Sequence, residues 1–378
     1  MDWDVAVVGA GPAGSTLARL LASAGVRVVL LERCPLPRYK ACGGGLTGRS
    51  LALLPQQVLH IVRVWSRQAT VSYGGHLSVA RSPRPAVGLV LRSEMDALLA
   101  DLAVRAGAVL MPDSAVTAAC REGDGVRLAV GGKALRVRYV VAADGSTGVF
   151  QGPMGSAVGL GPCAPRIGAV EAEVADPGGA WGTALRGDFD VVPGGYGWVF
   201  PKGDTLSIGV ASWRSGVGGS QLRASLSRYI DLLGMGDREV LTLRGHPIPV
   251  GGRLKLRALY SACALRVGDA AGLADPLFGE GIAYALESAH LAAPVLIAAL
   301  HADRGSEALR PYAQALGRQV YRTFRVASAL SRAFYRAPGP WIGVARVHAS
   351  VGDLAWRWAT AAGRLPGGEG FGPAESSW

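Results

Sequence analysis

The sequence predicts an α/β chain (α+β overall) in which a Rossmann-like dinucleotide-binding domain is interrupted by an antiparallel sheet and followed by a helical C-terminal segment. Three observations predict it. Residues 4–32 read strand, glycine turn, helix, strand. Residues 165–213 alternate apolar and polar positions between Gly and Pro breaks, as an antiparallel sheet does. A second buried strand and a long apolar helix return at 263–300, after that sheet. With 378 residues, 49% of them hydrophobic and 18% charged, the chain is long and apolar enough for two packed domains.

Residues 4–8 (DVAVV) form the first strand, 12–24 the helix and 26–32 (VRVVLLE) the second strand, a unit that implies parallel pairing and a right-handed crossover. A Pro/Gly-rich loop follows at 35–48. Helical periodicity over 93–106 places Ser93 as an N-cap. Val109 and Leu110, a β-rich stretch at 115–140 and a strand at 137–143 come next. A helix at about 219–234 interrupts the alternating region. Residues 263–268 read as a buried strand and 280–300 as a helix. The stretch 306–361, with Trp341, Trp356 and Trp358, reads as helical, and 363–378 as a loose tail. The expected division is a discontinuous cofactor domain (1–150 plus 260–300), a β substrate domain (151–259) and a helical segment (301–378).

Formal net charge is +11, with Arg far outnumbering Lys, which occurs only at 40, 133, 202 and 255. No Lys/Arg-rich run or nucleic-acid module accompanies the charge, which argues against nucleic acid and leaves anionic lipid headgroups as a partner. Cysteines 34, 42, 120, 163 and 263 show no metal-ligand spacing and no even set, as in a reduced cytosolic chain with no metal site. The first residues, MDWD, lack a basic n-region and the apolar run after them is short, so no secretory signal is expected. The apolar stretch 282–300 contains Glu287 and His290, so a buried helix is expected rather than a membrane span.

Gly9-Ala10-Gly11-Pro12-Ala13-Gly14 lies between a strand and a helix, the context in which G-x-G-x-x-G binds a dinucleotide. Gly9 permits the tight turn, Gly11 the approach of backbone to pyrophosphate, and Gly14 close helix–strand packing. The helix N-terminus offers free N–H groups to the phosphates. Glu32 ends the second strand and is placed to accept from ribose hydroxyls. Later segments point to FAD. Asp144-Gly145 and Gly268-Asp269 each follow an apolar strand, where a carboxylate can hold a ribityl hydroxyl. Gly281-Ile282 opens a helix whose N–H groups suit the flavin O2 region, where negative charge develops.

Four stretches now carry a family resemblance: GAGPAG at 9–14, YKACGGGLT at 39–47, YGWVFPK at 196–202 and GDAAGLADPLFGEGI at 268–282. Over roughly residues 4–300 the chain resembles FAD-dependent oxidoreductases of the p-hydroxybenzoate-hydroxylase type, and most of all the geranylgeranyl reductase family. The resemblance implies FAD contacts from Ala13, Glu32, Ala41, Cys42, Gly43, Arg92, Val116, Asp269, Gly281 and Ile282. Gly9, Gly11, Gly14, Arg33, Asp144 and Gly145 complete the expected cofactor-binding set. It implies reduction of carbon–carbon double bonds of a prenyl or related apolar substrate by hydride from flavin N5. Electrons would come from NAD(P)H, NADPH included, or a ferredoxin-like donor. Tyr196, Trp198 and Phe200 alternate along a strand and share a face, which the resemblance makes the substrate wall. Cys42, Tyr196 and Trp198 are the expected catalytic residues, with Cys42, Tyr196 or a bound water as proton source. A cytoplasmic enzyme, peripheral at the inner membrane face, would fit. Ordinary core aromatics and an inert packed cysteine are the plain alternatives. The same fold serves flavin monooxygenases that hydroxylate or epoxidise secondary metabolites, and flavin halogenases. Halogenases rely on a lysine in the early middle of the chain, and none occurs between 41 and 132. A flavin-binding scaffold without turnover is the remaining reading.

Overall fold

The computed structural model describes residues 1–347 except 163, 252–254, 303, 304 and 306, with backbone alone for 343–347. Trp356, Trp358, Cys163 and the expected loose tail lie outside the described residues. In chain order the elements begin with β1 (Trp3–Val8), α1 (Pro12–Ser23), β2 (Val28–Leu31), β3 (Gly45–Thr47), α2 (Gly48–Leu53), β4 (Val64–Ser66), β5 (Gln68–Tyr73), β6 (His76–Arg81) and β7 (Val87–Leu89). Next come α3 (Arg92–Arg105), β8 (Val109–Met111), β9 (Val116–Glu122), β10 (Gly125–Val130), β11 (Lys133–Ala142), α4 (Pro153–Ala157) and β12 (Gly168–Ala175). The remainder is β13 (Leu185–Asp188), β14 (Gly195–Pro201), β15 (Thr205–Ser212), α5 (Gly219–Leu232), β16 (Val240–Gly245), β17 (Ala264–Arg266), α6 (Ile282–His301), α7 (Arg310–Leu316), α8 (Arg322–Arg336) and α9 (Pro338–Val347). Two compact units form: residues 1–40, 93–166 and 247–331 in the first, and 41–92, 167–246 and 332–378 in the second.

The first unit is Rossmann-like. Its sheet runs β8-β2-β1-β11-β10-β9, with β17 also against β11. The β8, β2, β1, β11 and β17 neighbours pair in parallel, while β9, β10 and β11 form an antiparallel meander. Parallel strands covered on both faces read as unbroken apolar runs. Val5 and Val7 of β1 accordingly join one core with Leu17 and Leu21 of α1 and Ala289 and Leu296 of α6. Ala6 and Val8 join the opposite core with Val29, Leu128 and Phe150. The helix α6 is long and apolar enough to cross a membrane, yet Ala283, Leu286, Ala289 and Leu296 are buried within this unit, as the sequence predicted.

The second unit holds a seven-stranded sheet, β16-β12-β15-β14-β13-β5-β6, and a three-stranded one, β3-β7-β4. The larger sheet is antiparallel except where β13 pairs with β5. One face packs on α5: Val170, Val174, Val199, Ile208 and Val210 meet Leu222, Leu226 and Tyr229. The opposite face of β12 and β15 is buried as well: Glu171 is 3% exposed, Glu173 7% and Ser207 0%. Buried polar pairing, described below, replaces water there. Strands β4 to β7 lie in a stretch to which the sequence assigned no elements; their partners β13 and β3 are set by tertiary pairing rather than by local pattern. Helices α7, α8 and α9 bear out the helical reading of the C-terminal segment as far as it is described.

Candidate functional site

The first unit brings the motifs at its two ends of sequence together around the start of α1. Gly9 has φ +108°, and a side chain there would collide with the Ala143 carbonyl. Gly14 is helical but has no room for a methyl group, which would meet the Gly9 carbonyl oxygen. Pro12 occupies the first turn, where a missing N–H costs nothing. Gly11 caps α1 without a side chain, and the first turn contains no acidic residue. The N–H groups and positive dipole end of α1 are therefore left for an anion. A Cβ on Gly268 would lie 2.9 Å from the Ala13 Cβ, so the Gly268–Ala271 turn abuts this cradle.

Glu32, just past β2, is buried. Its Oε2 accepts from the Ala10 amide (2.9 Å) and Arg38 Nη2 (3.1 Å), and its Oε1 from the Cys34 amide (3.2 Å). A carboxylate has about four acceptor sites, so room for one further donor, such as a ribose hydroxyl, remains. Arg38 also binds Asp96 at 3.0 Å and so orients Glu32 from α3. The sequence reading missed Arg38 and Asp96, which lie in a Pro-rich loop and on a helix with no shared motif. Arg33 is exposed. Val116 opens β9 with its side chain in the core, leaving its backbone for contact with a ligand.

Asp144 follows β11 and is covered by Gly148, where any side chain would overlap its carboxyl group. Its Oδ2 accepts from the Phe150 amide at 2.9 Å, and Oδ1 has no hydrogen-bond partner. Burial pushes this carboxyl up to about 6. Gly145 beside it has φ +78°. Asp269 and Gly281 are neighbours, since a Cβ on Gly281 would lie 3.2 Å from Asp269 Oδ1. Gly281 caps α6 with no side-chain bond, and the first turn that Ile282 begins carries no acidic residue. Asp275, another residue missed from sequence, shapes the approach: its Oδ1 accepts from the Leu277 and Phe278 amides at 2.8 and 2.9 Å. Two uncapped helix ends and a cradle closed to side chains fit a cofactor with a pyrophosphate and an electron-poor ring. Among the described residues, no His, Cys, Asp or Glu group is arranged to hold a metal.

In the second unit, Ala41, Cys42 and Gly43 run into β3. A methyl on Gly43 would collide with the Phe200 ring, and one on Gly44, at φ +71°, would collide with the Val90 carbonyl. Cys42 is half-buried, and its Sγ accepts from the Gly44 amide at 3.4 Å. Arg92 begins α3 and is half-buried. Tyr196, Trp198 and Phe200 share one face of β14, opposite Val199 on the α5 side. Tyr196 lies 6.0 Å from Trp198, 5.5 Å from Phe189 and 5.8 Å from Trp213, ring centre to ring centre. Tyr335 of α8 stacks on Trp213 at 4.2 Å and 12°. Phe189, Trp213, Phe334 and Tyr335 extend the aromatic wall beyond the three residues the sequence marked. No sequence spacing links them, because strand pairing and α8 assemble the group.

A model of the FAD binding domain matches residues 2–160. The chain is 32% identical over 325 residues to a menaquinone reductase of Mycobacterium tuberculosis, covering 78% of this chain and 76% of that one. It is 31% identical over 335 residues to digeranylgeranylglycerophospholipid reductase 1 of Methanopyrus kandleri, with coverage of 80% and 82%. In fold it resembles the crystal structure of a geranylgeranyl bacteriochlorophyll reductase-like protein of Thermoplasma acidophilum, with a TM-score of 0.77, 24% identity and coverage of 88% and 87%.

Proposed function

The chain belongs to the geranylgeranyl reductase family of FAD-dependent oxidoreductases, and from that premise we propose that it saturates carbon–carbon double bonds of a prenyl chain or a related apolar molecule. The observation that carries this reading is the aromatic wall of the second unit, with Tyr196, Trp198 and Trp213 in ring contact. When bound and reduced by an electron donor, FAD would supply hydride to the alkene. An isolated alkene has no carbonyl to polarise, and aromatic faces stabilise positive charge that develops on carbon. The same rings exclude water and orient an apolar chain. We assign FAD contacts to Gly9, Gly11, Ala13, Gly14, Glu32, Arg33, Val116, Asp144, Gly145, Asp269, Gly281 and Ile282, and to Ala41, Cys42, Gly43 and Arg92. Gly281 and Ile282 offer backbone N–H groups where negative charge gathers. The Tyr196 hydroxyl and the Cys42 thiol are the protein groups assigned to deliver a proton to the second carbon.

Electrons come, in this proposal, from NAD(P)H or a ferredoxin-like donor, and the enzyme is cytoplasmic with a peripheral hold on anionic lipid. The first unit supports the last point: Arg318, Arg322 and Arg325 are exposed beside exposed Val326 and Leu330, and no acidic residue occurs from 308 to 352.

The test is anaerobic incubation of dithionite-reduced protein with a panel of prenyl quinones, diphosphates and ether lipids, read by mass spectrometry. A gain of two hydrogens per double bond is expected. No gain anywhere in the panel, with oxygen-dependent gain of one oxygen instead, would replace the reductase by a monooxygenase.

A further inference from the structure

The sheet face that carries the aromatic residues also buries three charged side chains that the proposed reaction does not use. Lys202 follows β14 and is 2% exposed. Its Nζ donates to Glu173 Oε1 at 2.5 Å and to the Cys42 carbonyl oxygen at 3.0 Å, and lies 3.8 Å from Glu171 Oε1. Ser207 Oγ donates to Glu171 Oε1 at 2.9 Å, and Trp198 Nε1 donates to Ser207 Oγ at 3.1 Å. Glu173 Oε2 is buried with no hydrogen-bond partner. Burial pushes the Glu171 carboxyl up to about 7, and by distance Glu173, at 2.5 Å against 3.8 Å for Glu171, is the nearer partner of Lys202.

An ion pair buried this deeply gains little stability over an apolar packing of the same volume. Its geometry suggests a use. The ammonium spends one donor on a backbone carbonyl of the Cys42–Gly44 loop. The loop is shaped to receive it: a Cβ on Gly44 would lie 3.4 Å from Lys202 Cε, and one on Gly43 would collide with Phe200, two residues before Lys202. Glycine at both positions lets the loop lie directly on the lysine stem and the ring. Through Glu171 and Ser207 the same cluster fixes the indole of Trp198, whose ring fills the space above Gly209.

We propose that Lys202, held by Glu173, is a positioning residue that clasps the Cys42–Gly44 loop to the sheet, and that Glu171 and Ser207 tie the Trp198 ring to the same support. The loop assigned to FAD and the aromatic wall assigned to substrate then share one rigid mount. Only the functional meaning of the mount rests on the reductase reading; the clasp itself does not.

The experiment measures alkylation of each cysteine by iodoacetamide in the full-length, FAD-saturated chain, with peptide mass spectrometry to separate sites. In the Lys202→Met, Glu173→Gln double variant the closest ion pair leaves as a unit, and the Glu171 carboxyl, already pushed up by burial, keeps its bond from Ser207. Cys42 should react about tenfold faster than in the wild type, the factor expected on losing one charge-assisted hydrogen bond. Cys34 and Cys120 of the first unit should keep their rates. Lys202→Arg keeps the charge and the donors and should restore protection of Cys42, along with the visible band shape of the bound flavin, which the double variant should alter. Should the double variant not fold, the isosteric Glu173→Gln variant carries the test, with a rise of about threefold expected from the weakened anchor. A folded variant in which Cys42 reacts at the wild-type rate overturns the clasp, as does a Lys202→Arg protein as reactive as the double variant. No turnover is measured, so a chain that reduces no prenyl compound sinks the proposed function and leaves this inference standing.

Discussion

Replacing Gly14 by alanine tests the cofactor cradle through a single methyl group. Gly14 has ordinary helical dihedrals, so the substitution brings no backbone strain and even favours helix. The obstacle is space. The new Cβ would overlap the Gly9 carbonyl oxygen and sit 3.0 Å from the Ala143 Cβ. To reach ordinary contact, α1 must retreat by about 1 Å or more from the turn, and overpacking of this kind costs about 1–3 kcal/mol. The retreat also moves the α1 N–H groups that would face the pyrophosphate, and one charge-assisted bond there is worth about 1.5–3 kcal/mol. FAD affinity should therefore fall at least about tenfold, equivalent to about 1.4 kcal/mol. The assay is quenching of FAD fluorescence on titration into cofactor-free protein. Gly25→Ala is the control: Gly25 has φ +77° with nothing within 4 Å of the added carbon. That variant should lose about 1–2 kcal/mol of stability from the left-handed backbone and no FAD affinity. Wild-type affinity in a folded Gly14→Ala protein, or an equal loss in Gly25→Ala, would refute the argument that contact at the turn, rather than general stability, governs binding.

Other expectations follow from the same geometry. Asp144 has a folded-state value raised from 3.8 to about 6 by burial, so the unfolded chain releases this proton first as pH rises; the stability contribution present below pH 4 is lost between about pH 4 and 6, about 3 kcal/mol in all. Denaturant titrations of cofactor-free wild type and Asp144→Asn should diverge across that window and run parallel above it; profiles parallel throughout would remove the buried-acid argument. Gly209→Ala should cut prenyl turnover about tenfold or more with FAD retained, since the added carbon collides with the Trp198 ring; unchanged turnover would take Trp198 out of the substrate wall. Cys42→Ser and Tyr196→Phe should each be assayed for turnover, and full activity in both would leave neither as proton donor. Arg322→Glu should weaken cosedimentation with anionic vesicles about tenfold at low salt, with a smaller effect at high salt; binding indifferent to both charge and salt would end the lipid proposal.

The cradle was legible because its demands are local. A turn at φ +108° and a helix lying on a carbonyl oxygen both require glycine at fixed spacing, and an uncapped helix start needs only a few residues to declare itself. The Gly268–Ile282 segment was legible for the same reason: Asp269 and Gly281 meet across one short loop. Ring partners of Tyr196 were not legible. Phe189 and Trp213 reach it through strand pairing, and Tyr335, which stacks on Trp213, comes from a helix more than a hundred residues away, so no spacing rule connects them. Pairing of β5 with β13 was hidden likewise: Ala69 meets Leu185 across a long intervening chain whose local pattern says nothing of register.

Lys202 shows where local reading misleads rather than merely stops. It ends the YGWVFPK motif, just before Gly203 and Asp204, where a lysine ordinarily reaches into water. Glu171 and Glu173 alternate with apolar residues on β12, the pattern of a half-solvated strand. Each signal taken alone says surface. Only the strand order resolves them. β15 lies between β14 and β12, pairing Ser207 with both Phe200 and Glu173. Lysine and glutamates thereby fall on one face, close enough to neutralise one another away from water. Charge in a buried sheet needs its partner at the same depth, and two partners on different strands meet only if the register is right. The placement of Lys202 against the Cys42 carbonyl depends on the same register, and for that reason the clasp had to be read from the fold.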